Sequence, residues 1–287
     1  MPQVFNNFFH AVEGNEGDVC HYSTRLDTYG CGCQHNCGYC YARSLLAFRG
    51  LWNPQSPSKA PFREIVKAIR KLRPGSVVRL GGMTDCFQPM EASAKNTLRT
   101  IELLNRRRVH YLIVTKNDLI ARPEYLAAMD HTLAHIQVSI TCTDPVISKR
   151  VEPGAPTPDL RIAAAETLQA EGFDTAIRLS PFIPEFIKMG ALDVQAINEA
   201  KCDKMLIEFL RVSHWIDSWL SPIVNLSNYS LSFHGYRHLP FEKKREAVKP
   251  FEGYHEVTVC DWEEKYLDFW KKEYNPNPND CCNLKLK

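Results

Sequence analysis

The sequence predicts an α/β fold built from repeated β/α units, and three observations predict it. Short, continuous apolar runs alternate with helical patterns as far as residue 208. The runs lack a polar alternation, as expected of parallel strands covered on both faces. Polar and glycine residues gather at the end of run after run, where α/β folds carry their chemistry. A chain of 287 residues is long enough for one large α/β domain or two small ones.

An early strand falls near residues 23–27. Residues 76–82 are an apolar run closed by Gly81 and Gly82. Residues 96–107 form a helix with Leu98, Ile101, Leu103 and Leu104 on its apolar face. Residues 109–115 are a strand, and 123–130 a short helix opened by Pro123. Residues 135–141 are a strand, followed by a helix over 158–171 that Gly172 stops. A strand over 175–180 ends at Pro181. A helix over 191–201 and a strand over 204–208 complete six β/α units. The pattern alone allows a partial barrel and a doubly wound sheet equally. From about residue 221 the rhythm stops. That stretch is rich in aromatic and charged residues and closes on Cys281-Cys282. It is expected to cap an open side of the fold, which divides the chain into 1–220 and 221–287.

The chain has 35 Lys and Arg against 33 Asp and Glu, a net charge of +2 that neither demands nor excludes a nucleic-acid partner. The basic clusters at 106–108 and 243–245 read as solvated helix faces or as nucleic-acid contacts. Eleven cysteines occur without an apolar N-terminal run resembling an export signal, and no apolar stretch reaches membrane-spanning length. The expectation is a cytoplasmic protein without a membrane partner, its cysteines serving as thiols and ligands.

Cys33, Cys37 and Cys40 are spaced C-x3-C-x2-C. Three thiolates this close cannot all pair as disulfides. They can converge on three corners of a four-iron cluster, leaving the fourth iron open. The zinc alternative takes Cys31 or His35 as a fourth ligand. Cys31 also reads as a small buried hydrophobe beside the loop.

The cysteine spacing resembles the signature of the radical S-adenosylmethionine (SAM) superfamily, and four segments sharpen the likeness. Gly32-Cys33-x3-Cys37-x-Tyr39-Cys40-Tyr41-Ala42-Arg43 resembles the cluster loop of the spore photoproduct lyase, SplB-like subgroup. Met83-Thr84-Asp85-Cys86-Phe87-Gln88-Pro89-Met90-Glu91 is similar to its T-D-x-Y-Q-P-x-E segment, and Val114-Thr115-Lys116-Asn117-Asp118-Leu119 to its I-T-K-S-x-L strand end. Val138-Ser139-Ile140-Thr141, with Glu152-Pro153-Gly154-Ala155-Pro156, resembles V-S-I-T followed by E-P-G-x-P. The likeness covers about residues 20–185.

The resemblance implies a partial (β/α)6 TIM-like barrel with a C-terminal cap. It implies a [4Fe-4S] cluster on Cys33, Cys37 and Cys40, and SAM cleaved to a 5′-deoxyadenosyl radical that abstracts hydrogen. Tyr39 would line the adenine pocket. The Gly81-Gly82 turn would bring backbone carbonyls to the SAM amino group. Thr84, Lys116 and Ser139 would hold its methionine part, the lysine pairing with the carboxylate. The electron would come from an external flavodoxin- or ferredoxin-type donor. The lyase returns hydrogen from a cysteine ahead of its S-D or T-D pair, where this chain has Gly82 and Met83. Tyr41 matches a lyase tyrosine with the same duty, and Cys86, just past the pair, is a second candidate. The substrate is left open between a nucleic-acid base and a small metabolite or peptide. A non-catalytic Fe–S or zinc module is the reading from another class. Cys260, Cys281 and Cys282 form a second thiol group, expected either as a mobile tail or as ligands of a second metal centre docked near the site.

Overall fold

The computed structural model describes residues 9–11, 22, 24–261, 263–277 and 280–286. β1 (Phe9–Ala11) and β2 (Thr24–Leu26) pair antiparallel. β3 (Tyr29–Gly30) and β4 (Ser58–Lys59) form a small ladder beside the cysteine loop. β5 (Val77–Leu80), β6 (His110–Thr115), β7 (Ala134–Ile140), β8 (Asp174–Phe182) and β9 (Lys204–Phe209) follow, with helices between them. β10 (Leu231–Phe233) and β11 (Tyr236–His238) make a hairpin, and β12 (Glu256–Cys260) is the last strand.

The main sheet has the order β1-β2-β5-β6-β7-β8-β9-β12. From β2 onward every pairing is parallel. The strands form where apolar runs fit two covered faces: all seven residues of β7 are buried. Val77 on β5 and Leu206 on β9 share one buried cluster, although three strands separate them in the sheet. Side chains that far apart meet only if the sheet curls, and the fold is a partial barrel.

Seven parallel strands replace the expected six. β12 lies in the stretch read as lacking the β/α rhythm, and it extends the sheet beside β9 with Glu256 opposite Lys204 and Cys260 opposite Glu208. Its buried core is only Val257-Thr258-Val259, too short a run to stand out among charged neighbours. The early strand is β2; Ser23, in its expected range, lies outside the described residues. The helix expected over 191–201 is shorter, Val194–Asn198, and begins where Asp193 caps it through the N–H groups of Gln195 and Ala196; a separate turn, Glu185–Lys188, precedes it. A helix at Pro145–Val151 was not expected. Asp144 caps it through Val146 and Ile147 N–H, and Pro145 supplies its first residue.

The expected mobile tail is instead packed. Cys281 and Cys282 are buried against Tyr22, Val77, Leu112 and Leu206. Asp280 accepts hydrogen bonds from Cys282 N and Leu284 N, both at 2.9 Å, and Asn283 donates to Glu256 at 2.7 Å. Lys285 N donates to Asp174 at 2.9 Å.

Asp174 also takes the Lys204 ammonium at 2.5 Å and lies 2.6 Å from His135 Nδ1. Burial pushes its carboxyl up, but His135 and Lys204 outweigh that and hold it at about 2, below the ordinary 3.8. A depressed carboxyl contributes stability that is complete above the ordinary value and is lost as pH falls toward the folded one. Asp174→Asn should cost on the order of 2 kcal/mol at neutral pH and flatten the loss of stability between about pH 4 and pH 2. Urea unfolding across that range reads both effects.

Candidate active site

Cys33, Cys37 and Cys40 lie on the loop from β3 to the helix Tyr41–Phe48, with Cys40 immediately before its first turn. Two tight turns shape the loop, closed by Asn36 N donating to Cys33 O at 3.0 Å and Cys40 N to Cys37 O at 3.3 Å. The segment after Pro145–Val151 docks it from below. Gly38 N donates to Val151 O at 2.9 Å, and Gly154 N to His35 O at 3.0 Å. A side chain at Gly154 would place its Cβ 1.9 Å from Gln34 O, so only glycine permits this approach. Gln34 and the segment 88–90 clasp each other: Gln34 N donates to Gln88 Oε1 at 2.9 Å, and Met90 N to Gln34 Oε1 at 2.6 Å.

All three thiols open on one cavity of about 510 Å³ at the carboxyl ends of the strands. Burial pushes the Cys33 thiol up to about 12 and raises Cys37 and Cys40 too. Metal binding at these thiols must therefore release protons. Strand ends supply the rest of the wall: Gly81, Gly82, Thr84, Asp85, Thr115, Lys116, Ser139, Arg178, Ser180 and Glu208.

The structure brings nearly every expected residue to this wall, though several do other work there. The Tyr39 ring faces the cavity, while its hydroxyl donates to the Glu152 carboxylate and lies 3.0 Å from Thr141 Oγ1. Lys116 Nζ sits 5.6 Å from the Tyr39 ring centre, donates to Ser180 O at 3.2 Å, and lies 3.8 Å from Glu152. Ser139 is buried on the wall. Thr84 Oγ1 is turned toward the framework and donates to Tyr29 O at 2.8 Å. Gly81 takes φ +84, a left-handed conformation that glycine adopts without strain. The turn after it is pinned by Asp27, whose carboxylate accepts from Gly82 N and Thr84 N at 2.9 Å and Met83 N at 3.0 Å. Tyr41 lines the cavity and donates to Gly82 O. Cys86 does not reach the wall. It is fully buried in the main core, and its carbonyl accepts from Thr97 at 2.6 Å.

Among the other wall residues, Arg178, Ser180 and Glu208 are polar strand-end residues legible in the sequence, whereas Arg25, Arg79, Arg211 and Tyr236 had not been singled out. Arg25 and Arg79 are neighbours on β2 and β5, and both face the cavity. An arginine inside an apolar run, as at Arg79, was the available signal, since a strand covered on both faces accepts it only toward a polar interior. Arg178 binds Gln137 and Glu208, each at 2.5 Å, and Ser180 Oγ donates to Glu208 at 2.7 Å. Arg211 and Tyr236 complete the rim.

The Radical SAM superfamily profile matches residues 28–187, more than half of the chain. The chain belongs to the radical SAM superfamily. An uncharacterized protein of Methanocaldococcus jannaschii is 29% identical over 160 residues, 54% of this chain and 59% of that protein. An uncharacterized protein of Mycobacterium tuberculosis is 29% identical over 169 residues, 55% of this chain and 49% of its own length. The alignments thus span about half the length of these curated relatives. Among solved structures, spore photoproduct lyase complexed with dinucleoside spore photoproduct aligns with TM-score 0.58 at 16% identity, covering 83% of this chain and 76% of that one. Methylornithine synthase aligns with TM-score 0.50 at 11% identity, covering 82% and 64%. At such identities these likenesses establish the partial-barrel fold alone.

Membership makes the chain a radical SAM enzyme and implies a [4Fe-4S] cluster and SAM. The residues present fit both. Among the described residues no three His, Cys, Asp or Glu side chains lie close enough to hold a single metal ion. Three thiols from one loop, all opening on one cavity, are the donor set that a four-iron cluster with one open iron takes. Cys31 is not on the cavity wall, and His35 Nδ1 is 3.3 Å from Asp85. Cys33, Cys37 and Cys40 would hold the cluster, with Tyr39, Lys116, Ser139 and the Gly81-Gly82 turn around SAM. When bound, the pair supplies one-electron reduction of SAM to a 5′-deoxyadenosyl radical. Among the described residues no helix is long and apolar enough to cross a membrane.

Replacing Cys33, Cys37 and Cys40 together by alanine should abolish iron binding at this site and SAM cleavage. Iron analysis and 5′-deoxyadenosine assay after anaerobic reconstitution measure both. Lys116→Ala should weaken SAM binding by about 2–3 kcal/mol through loss of a charge-assisted hydrogen bond. Calorimetric titration checks it.

Proposed function

We propose that this enzyme abstracts a hydrogen atom from a base of a nucleic-acid strand, as a spore photoproduct lyase-like member of its superfamily. The cavity rim at Arg211 and Tyr236, together with Arg43, Trp215 and Trp219 close in sequence to the lining residues Tyr41 and Ile216, carries the reading. Arg43 stands 5.5 and 5.2 Å from the ring centres of Trp215 and Trp219, and Arg211 stands 5.7 Å from that of Tyr236. Tyr236, Arg211 and Leu45 all border the opening, and Trp215 is 42% exposed. Aromatic faces beside guanidinium groups suit stacked bases and a phosphate backbone together. A structure of similar fold holds a dinucleoside photoproduct.

The basic clusters noted in the sequence do not supply this surface. Arg106–Arg108 precede β6, at the opposite end of the strands, where Arg108 pairs with Asp130 at 2.8 Å. Lys244 is buried on Asp261.

Tyr41 is the hydrogen-return group on this reading. Burial raises its phenol to about 12, with Arg79 and Arg25 opposing, so its O–H bond is intact at neutral pH. The electron comes from an external donor of the flavodoxin or ferredoxin type.

The protein should bind a fluorescent single-stranded oligonucleotide more weakly as salt rises, and Trp215→Ala should cost about 1–3 kcal/mol of that binding. Fluorescence anisotropy reads both. Failure to bind any oligonucleotide, with SAM cleavage intact, would transfer the site to a small metabolite or peptide.

A further inference from the structure

Among the described residues that line the cofactor cavity, five lysines and arginines stand with two carboxylates, Asp85 and Glu208. Glu208 binds Arg178 and Ser180, and Arg211 Nη2 lies 3.9 Å from it at the rim. Asp85 is taken by Thr115 Oγ1, Lys116 N and His35. Lys116 lies on the SAM side, beside the Tyr39 ring. The other two cations, Arg25 and Arg79, form a separate pair.

They are direct partners in the parallel pairing of β2 with β5, and both line the cavity. Partnered residues of adjacent strands project from the same face, their backbones roughly 5 Å apart. Side chains alternate along β5. Val77 belongs to the apolar layer with Leu112 and Leu206, and Gly81 lines the cavity, so Arg79 sits between the floor and the Gly81-Gly82 turn. Tyr22 braces it. Arg79 Nη1 donates to the Tyr22 hydroxyl at 3.0 Å, and the guanidinium stands 5.7 Å from that ring centre. The Arg25 stem lies against Gly82, where an added Cβ would stand 3.2 Å from Arg25 Cδ. The carbonyl of the same Gly82 accepts from the Tyr41 hydroxyl. Two cations, the glycine turn and the Tyr41 phenol thus share one corner of the cavity.

We propose that Arg25 and Arg79 form an oxyanion subsite inside the barrel that takes the phosphodiester beside the reacting base. The assignment rests on the nucleic-acid reading above and adds the point at which the strand is anchored within the cavity.

A phosphodiester carries one negative charge over two non-bridging oxygens. Two guanidiniums side by side can each direct a fork of N–H groups at them. Stacking on the rim aromatics tolerates every base, so it cannot fix how deep a nucleotide enters. Phosphate contacts do fix position, without reading sequence. A phosphate gripped beside Gly82 sets the attached nucleotide against Tyr41, the hydrogen-return group on that reading.

The test uses the anaerobically reconstituted holoenzyme with SAM and two probes. One is the dinucleotide thymidylyl-thymidine; the other is its methylphosphonate analogue, which keeps both bases and carries no charge on the link. Calorimetric titration should show the charged dinucleotide binding roughly tenfold to a hundredfold more tightly. Arg25→Gln and Arg79→Gln should each remove most of that preference. Their affinity for the neutral analogue should stay as it was, which also shows that the variants are folded. Arg79→Lys, which keeps the charge and loses the fork, should retain part of the preference. Arg106→Gln, at the other end of the strands, should retain all of it. No preference in the unsubstituted protein, or one that survives both glutamine variants, would overturn the subsite and leave the nucleic-acid reading standing. So would binding of neither dinucleotide while a longer oligonucleotide still binds. Binding of no oligonucleotide at all would overturn the nucleic-acid reading and the subsite with it.

Discussion

The structure depends on one buried carboxylate, that of Glu152. It accepts from the Arg161 guanidinium and the Tyr39 hydroxyl, and from Thr141 at 2.9 Å. Burial would push the Glu152 carboxyl up, but Arg161 and Lys116 outweigh it and hold it at about 2. Four parts of the chain thus share one charge: the cysteine loop, the end of β7, the helix Pro158–Ala170 and the end of β6. A buried ion pair with all its hydrogen bonds made is tolerable, whereas one that loses a partner is costly. The loop is therefore held in one place before any cofactor arrives, which is what a three-thiol site needs in order to present its sulfurs to one cluster.

Other acids repeat the device. Asp85 accepts from Thr115 Oγ1 at 2.8 Å and Lys116 N at 2.7 Å, joining the turn after β5 to the end of β6. Glu91 accepts from the Tyr29 hydroxyl, from Thr97 N at 2.9 Å and from Tyr125 at 2.9 Å. Asp27 gathers the N–H groups of the Gly82–Thr84 turn. The polar letters of the family-like segments are thus largely scaffold. Lys116, Ser139 and Tyr41 face the cavity, while Gln88, Glu91 and Glu152, with Asp85 on the wall itself, position the loops from which those side chains project.

This division explains what the sequence made legible. Parallel strands covered on both faces show as unbroken apolar runs, so β5 to β9 could be placed within a residue or two. Helices with a broad apolar face could be placed as well, whereas Pro145–Val151, defined by Asp144 and Pro145 more than by periodicity, could not. The cysteine triad was legible because its spacing admits few chemistries. Cys86 was not, since adjacency to Thr84 and Asp85 says nothing of which side of a turn a side chain takes. Here it takes the core side, below Thr97. Arg25 and Asp27 were equally hidden, because a two-residue alternation within a three-residue strand carries no readable period.

The curled sheet also accounts for the part of the chain that carries no family-like segment. Its interior is polar midway along the strands, with Arg79, Gln137, Arg178 and Glu208 facing inward, and it is apolar at Val77, Leu112 and Leu206. In the described sheet β12 stands at one edge and β1 at the other. An interior left open at the sheet's free side would hydrate both layers and dilute every charge interaction in the cavity above. β12 extends the wall, and Cys281, Cys282 and Leu284 fill the apolar layer behind it. The aromatic cluster of Trp270, Phe241 and Phe269 then packs over the outside, with Trp270 Nε1 donating to Asp261 at 2.9 Å. Cys281, Cys282 and Leu284 thus back the chamber on which Cys33, Cys37 and Cys40 open.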